Sequence, residues 1–365
     1  MDSLFEARLE KVRGEMAMKS FSGLVVSDPE SIFYLTGISV NPYERLFALC
    51  VSPSGTPKLV ANALFNLGSI GSVDLEIKRY NDGDDAVKIL ADAVPHSGVV
   101  GVDKILQAKF LIPLMLGTKG ARFSVGSECV DSARAIKDSA EQLLMKEASR
   151  INDICIQRAF DFVSEGKTER EVADFIRRCF IEEGADGECF ETNVSFGANS
   201  ADPHHESDGT ALKAGDCILI DMGCRKNGYC ADMTRTAFFK SADDEMRKIH
   251  DIVRSANEKA ESIIAPGIRL CDIDKAAREV ISQAGYGEHF THRTGHFIGL
   301  GAHEEGDVSA VSKETAKEGM IFSIEPGIYL PGRFGVRIED LVLVTSSGCQ
   351  RLNLVDKNYQ ILGLE

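Results

Sequence analysis

Three short stretches of the chain gather residue types that could carry out metal-assisted chemistry. The first runs from Cys217-Ile-Leu-Ile-Asp221 through Asn227-Gly228-Tyr229 to Asp232-Met-Thr-Arg-Thr236. Asn-Gly between apolar, strand-like runs predicts a hairpin, because both residues tolerate the left-handed backbone of a tight turn. Each flanking strand carries one aspartate. An aspartate in a buried strand is costly unless something offsets its lost hydration. A backbone hydrogen bond would satisfy either one alone, and a cation held between the strands would satisfy both. The second stretch, His289 to His303, holds four of the eight histidines within fifteen residues. Imidazole commonly accompanies carboxylate in transition-metal sites, and four are more than such a site uses, so some of them position substrate or only pack. The third stretch is Phe322-Ser-Ile-Glu325-Pro-Gly followed by Gly335-Val-Arg337-Ile-Glu339-Asp340. Glu325 closes an apolar strand, and a continuous strand through Glu339 would put Arg337 and Glu339 on one face and Asp340 on the other. Arg337 beside Glu339 could be a plain ion pair. Charges inside a Val/Ile/Leu strand point instead to a polar site within the sheet.

Together these stretches supply four carboxylates and at least one histidine, all expected on strands. The set is hard and oxygen-rich, suited to a pair of Mn²⁺, Co²⁺ or Zn²⁺ ions and not to a thiolate zinc. Four carboxylates balance two divalent cations, the charge scheme of two-metal hydrolases.

The elements that would position these residues can be read in outline. The first third predicts a helix at Leu4–Met18, strands at Gly23–Val26, Leu46–Ser52, Pro57–Ala61 and Gly98–Val102, and helices at Ser31–Thr36 and near Asp84–Ala93. No cluster of catalytic type occurs there. Near residue 130 the character changes. Asp138 with Glu141, and Thr168 with Glu171, are capping boxes that open a long helix to about Ser164 and a second one ending at Gly184. Gly166 and Gly184 lie eighteen residues apart around a helical segment, and so do Gly267 and Gly285 around Ile273–Ala284. That spacing is consistent with two related halves and a site between them.

Composition narrows the function classes. A formal net charge of −15 argues against a nucleic-acid partner, which requires a basic surface. The ten cysteines are scattered without a CxxC pair, as expected of free thiols in a reducing compartment. The opening residues lack a signal-type apolar core, and no apolar run reaches membrane-spanning length. The expectation is a cytoplasmic protein without a membrane partner.

As a set, the motifs resemble the pita-bread metallopeptidases, the family of prolidase, aminopeptidase P, methionine aminopeptidase and creatinase. The resemblance rests on Asp221-x10-Asp232 with its Thr-Arg-Thr, Thr-Gly-His296-x-Ile-Gly-Leu-x-x-His303-Glu, Ile-Glu325-Pro-Gly and Gly-Val-Arg-Ile-Glu339-Asp. It covers about 131–365 well, and the preceding part more loosely through Tyr34-Leu-Thr-Gly37. It implies an α/β architecture: a small creatinase-type α/β domain over 1–130, then a pseudo-symmetric pita-bread catalytic domain over 131–365. It also implies two divalent metal ions, Mn²⁺ foremost, with Asp232 and Glu339 bridging both. Asp221 would then bind one ion, and His296 with Glu325 the other. His303 resembles the histidine that donates to the tetrahedral intermediate, and Glu325 is the candidate proton shuttle. His204 resembles an upstream histidine that helps hold substrate, Arg337 the arginine behind the site, and Arg293 a substrate-pocket position, with His292 as a helper.

Two departures stand out. Phe297 replaces the usual Gly after the ligand histidine, where it could narrow a pocket. Glu305-Gly-Asp307 stands where relatives often have Pro and one group has an arginine for the substrate carboxylate. The complete ligand set argues against creatinase, and the two-domain length against methionine aminopeptidase. The activity implied is hydrolysis of Xaa-Pro dipeptides, with aminopeptidase P action on longer peptides as the rival and a catalytically dead binding module as the remaining alternative. Prolidase-like relatives are dimers, which implies a homodimer here, with Gly37–Arg45 as candidate contact.

Overall fold

The computed structural model describes residues 2–68 and 73–364, and the chain divides into two compact units, Met1–Arg134 and Ala135–Glu365. In the first unit a six-stranded sheet runs in the order Glu76–Tyr80, Lys58–Asn62, Phe47–Val51, Gly23–Val26, Gly98–Val102, Ala121–Val125. The short apolar runs Gly-Leu-Val-Val and Phe-Ala-Leu-Cys-Val lie centrally and are buried throughout, as strands covered on both faces must be. Val25, Ala48, Val60, Val100 and Leu114 form its core. The sequence reading has no counterpart for the edge strands Glu76–Tyr80 and Ala121–Val125, whose polar, half-exposed residues carry little apolar signal. It also has none for the helix Ala108–Gly117, which runs through Pro113, a residue that argues against a helix in sequence.

The second unit contains two helix pairs. Ser139–Phe162 precedes Glu169–Glu182, and Asp244–Glu261 precedes Leu270–Gln283. Asp138 and Thr168 both close reciprocal capping boxes, with Glu141 and Glu171 returning to the cap backbone at 2.9 and 2.8 Å. The glycines that bracket the second helix of each pair are all left-handed: φ is 84° and 82° at Gly166 and Gly184, and 90° at both Gly267 and Gly285. Isolated bridges Thr168↔Ala211 and Arg269↔Thr315 fall at matching places. The eighteen-residue spacing therefore marks a repeated structural unit.

Each helix pair packs on its own sheet. One sheet orders Ile361–Leu362, Met233–Phe239, Cys217–Met222, Asn193–Phe196 over a core that includes Ile151, Ile176, Phe180 and Ile220. The other orders Glu304–Val308, Gly295–Phe297, Ile321–Ile324, Asp340–Thr345, Gly348–Arg351 over Ile249, Ile273, Phe297 and Phe322.

Two strand expectations need correction. Asn227 and Gly228 do turn a hairpin, at φ 48° and 86°, but it joins only Cys224–Lys226 and Tyr229–Cys230. Cys217–Met222 pairs instead with Met233–Phe239, with Asp221 opposite Thr234, and Asp232 lies in the connection before that strand. Glu339 is not within a strand either. The chain leaves the ribbon strand Phe334–Arg337 and enters Asp340–Thr345 in a different sheet, and Ile338-Glu339 is the crossing. At the crossing the Glu339 N–H donates to Thr234 O at 3.1 Å, so the backbone bond that a ladder would have used joins the two halves. Glu325 follows directly after Ile321–Ile324. Asp221 and His296 are thus in strands, while Asp232, Glu325 and Glu339 sit where strands end.

All ten cysteines are free. Among the described residues no helix is long and apolar enough to cross a membrane.

Candidate metal centre and active site

Asp221, Asp232, His296, Glu325, Glu339, His303, His204, His292, Arg293 and Arg337 all line one cleft of about 520 Å³ in the second unit. All ten residues singled out in the sequence meet there, together with Phe190, Pro203 and Thr291.

At its floor the His296 ring is buried, with Nδ1 3.1 Å from the Phe297 carbonyl. A carbonyl only accepts, so Nδ1 carries the proton and Nε2 presents a lone pair. Burial, and then the neighbouring His303, push its pKa down to about 3, which keeps the ring neutral. That lone pair faces Asp232 Oδ2 at 3.6 Å and Glu325 Oε1 at 3.5 Å. Acceptors face acceptors, which is repulsive unless a cation lies among them. Asp232, His296 and Glu339 each present one ligand atom within 4.8 Å of the others. Asp221 Oδ1 and Asp232 Oδ1 are buried with no hydrogen-bond partner. Burial and then the neighbouring carboxylates hold Asp232 and Glu339 well above the usual carboxylate range. Burial raises Glu325 to about 7. Orphaned oxygens, crowded acids and an inward lone pair fit divalent cations, and these residues could hold them.

A hydrogen-bonded scaffold fixes the outer oxygens. Thr234 Oγ1 donates to Glu339 Oε2 at 2.8 Å and accepts from Arg337 Nε at 3.0 Å. Arg337 also gives Nη2 to Asp221 Oδ2 at 2.7 Å and Nη1 to the Tyr329 hydroxyl at 2.9 Å. Its ion-pair partner is therefore Asp221, not the neighbouring Glu339. The Tyr329 hydroxyl lies 2.8 Å from His292 Nε2, and His292 Nδ1 lies 2.7 Å from the Arg293 carbonyl. Both His292 nitrogens are thus engaged with protein groups, and burial takes its pKa down to about 4. Ser323 Oγ accepts from the His296 backbone N–H and donates to Glu325 Oε1, both at 3.0 Å. Sequence reasoning missed Tyr329 and Ser323. The available signal was a lone polar group in each of two short apolar strands, Gly-Ile-Tyr-Leu and Ile-Phe-Ser-Ile.

His303 is exposed, with its ring centroid 4.1 Å from that of His296. Partial desolvation in the cleft lowers its pKa, and Arg293 lowers it further. His204 comes from the loop behind Pro203, which is anchored by an interaction the sequence did not suggest. Buried Glu169 accepts from Phe196 N, Asn199 Nδ2 and Asp208 N at 2.7, 2.9 and 3.0 Å, and meets His205 Nε2 at 2.7 Å. Glu169, His205 and Asp208 are close enough to hold an ion, but Glu169 is already saturated with donors, so the trio is a loop anchor.

The acidic stretch after His303 divides into separate roles. Glu304 is buried against Lys137 at 3.1 Å and accepts from Leu300 N, whereas Asp307 pairs with Arg293. Phe297 does not narrow the cleft. It is fully buried and stacks on Phe322 at 5.7 Å. A Cβ on Gly306 would stand 2.6 Å from the Phe297 ring, and its φ of 122° is closed to proline. The Phe297 ring therefore occupies the space that a side chain at 306 would need.

A family model of Metallopeptidase family M24 matches residues 143–346, and one of the Creatinase/Prolidase N-terminal domain matches residues 8–136. The chain belongs to metallopeptidase family M24. It carries the creatinase/prolidase-type N-terminal domain followed by the M24 domain, a mixed helix–strand architecture. Among solved M24-like structures, a dipeptidase from Pyrococcus horikoshii OT3 is 36% identical, with a TM-score of 0.91 over 97% of this chain and 100% of that one. A prolidase from Thermococcus sibiricus is 34% identical, with a TM-score of 0.90 over 98% and 99%. The putative dipeptidase YkvY of Bacillus subtilis is 33% identical over 97% of this chain and 99% of its own. The protein is an M24 peptidase.

Proposed function

We propose that this M24 peptidase hydrolyses Xaa-Pro dipeptides with two divalent cations, Mn²⁺ foremost and Co²⁺ or Zn²⁺ as alternatives, held by Asp221, Asp232, His296, Glu325 and Glu339. The observation that carries the metal reading is the His296 Nε2 lone pair aimed at carboxylates, beside the unpartnered oxygens of Asp221 and Asp232. Likeness to a structure named as a prolidase supports the proline direction. When bound, the cations supply Lewis-acid activation of water and of the scissile carbonyl. Glu325 carries a proton to the proline nitrogen, which leaves as an amine and must gain one. His303, on the open side of His296, donates to the developing oxyanion. His204 and Arg293 hold the substrate, while His292 and Arg337 form the wall that keeps Asp221 in place.

Aminopeptidase P action on longer peptides is the second reading, favoured by the Asp307 carboxylate already on Arg293. The test compares an Xaa-Pro dipeptide, a tripeptide with proline second, and an Xaa-Ala dipeptide. Cleavage of the dipeptide with a slight preference over the tripeptide is expected, and cleavage of Xaa-Ala in place of both would refute the proline reading. Free thiols throughout support a cytoplasmic location. Resemblance to dimeric prolidases supports a homodimer, to be checked by sedimentation.

A further inference from the structure

The Arg293–Asp307 pair stands at the mouth of the cleft, and its chemistry bears on how the far end of a substrate is read. Arg337, the other arginine lining the cleft, already directs Nε, Nη1 and Nη2 at Thr234, Tyr329 and Asp221. Arg293 is different. Its side chain is 38% exposed, and its polar contact is Asp307 Oδ1. Asp307 comes from Glu304–Val308, where the ladder places it opposite His296 next to a register shift at Phe297. With 44% of its own side chain exposed, the Asp307 carboxylate can turn to water at little cost.

We propose that Asp307 is a built-in competitor for the substrate's C-terminal carboxylate. It occupies the Arg293 guanidinium in the free protein and yields it to the carboxylate of an entering Xaa-Pro dipeptide. The proposal rests on the Xaa-Pro reading above. One exposed ion pair replaces another, so the exchange is close to neutral, and a free carboxylate next to proline adds little to binding. Asp307 thereby acts through Arg293 as a positioning residue that makes the enzyme tolerant of peptides longer than two residues. The same carboxylate that weakens dipeptide selectivity keeps the guanidinium from clinging to other anions.

The test is Asp307→Asn in the metal-loaded enzyme, assayed on an Xaa-Pro dipeptide and its C-terminal amide. The KM of the acid relative to that of the amide should fall about two- to five-fold, the size of one exposed ion pair. In an Arg293→Gln background the same substitution should leave that ratio where it was. A general structural effect would move acid and amide together, and that result, or a rise in the acid's relative KM, overturns the proposal. Asp307→Ser serves as a second variant with the same expectation. Calorimetric binding of N-acetylproline and N-acetylprolinamide gives the same comparison without turnover. If the wild type cuts no Xaa-Pro peptide, the functional reading falls while the binding ratio still judges Asp307. Binding of neither ligand by any variant removes the carboxylate seat, and the proposal with it.

Discussion

Replacing Thr234 by valine keeps the shape of a fully buried side chain and deletes one hydroxyl that serves two partners. The hydroxyl's donation to Glu339 Oε2 at 2.8 Å fixes the orientation of that carboxylate. Losing a group that orients a metal ligand typically lowers metal affinity about 10–100-fold, which corresponds to roughly 1.4–2.8 kcal/mol. A hydrogen bond to a charged acceptor is worth about 1.5–3 kcal/mol, so the two sizes agree. The hydroxyl's second role, accepting from Arg337 Nε at 3.0 Å, leaves a buried N–H unsatisfied when it is lost. That should cost about 1–3 kcal/mol of fold stability whether or not metal is present. The assay is a Mn²⁺ titration by calorimetry of chelator-stripped Thr234→Val protein, with the melting temperature of the stripped form measured alongside. Weaker binding of Mn²⁺ together with a lower Tm of the stripped form is expected. An unchanged Mn²⁺ affinity beside the lower Tm would refute the reasoning, because Thr234 would then support the fold without orienting a ligand.

Glu339→Ala should lose metal and activity together, with elemental analysis of the wild type approaching two ions per chain and the variant falling well short. His303→Ala should retain its metal while turnover drops about a hundred-fold, as for loss of one oxyanion donor. Metal loss instead would mean that the roles of His296 and His303 are exchanged. His250, packed against Phe238 and Tyr359, is held near a pKa of about 4 by burial and by the charge of Arg254. Its folded pKa lies below the unfolded value near 6.5. The unfolded chain therefore binds more protons as pH falls below 6.5, and stability present at pH 7 is lost progressively towards pH 4. The His250 share should reach about 2 kcal/mol by pH 5. Urea denaturation of wild type and His250→Phe at pH 7 and 5 checks this, and parallel pH dependence in the two proteins would count against it.

Nine of the ten site residues were legible because they fall in dense motifs, whereas His204 rested on the family resemblance alone. An aspartate in an apolar run, clustered histidines and acids at strand ends each violate local expectation, and all of these but His289, which packs against Tyr286, meet in one cleft. The helix starts at Ser139 and Glu169 were legible too, since a capping box is written within four residues. Sheet partnership was not. Alternation shows which residues are buried but not which strand lies beside them, so the Asn-Gly turn was credited with joining Asp221 to Asp232, when a short separate hairpin intervenes. Glu339 was placed inside a strand for a similar reason. The apolar pattern continues across Ile338, while the bond that breaks the ladder comes from Thr234, about a hundred residues away. Long-range partners of this kind also account for Tyr329 and Glu169, whose roles depend wholly on what they touch.

Phe297 and Gly306 are coupled through the space they share. The aromatic ring fills the volume in which any side chain at 306 would have to sit, and the 306 backbone adopts a φ that favours glycine. A side chain added at 306 alone meets the ring, whereas trimming the ring alone leaves a void in the packed core. The two positions therefore answer to substitution as a pair, and changing both departs from the sum of the single changes.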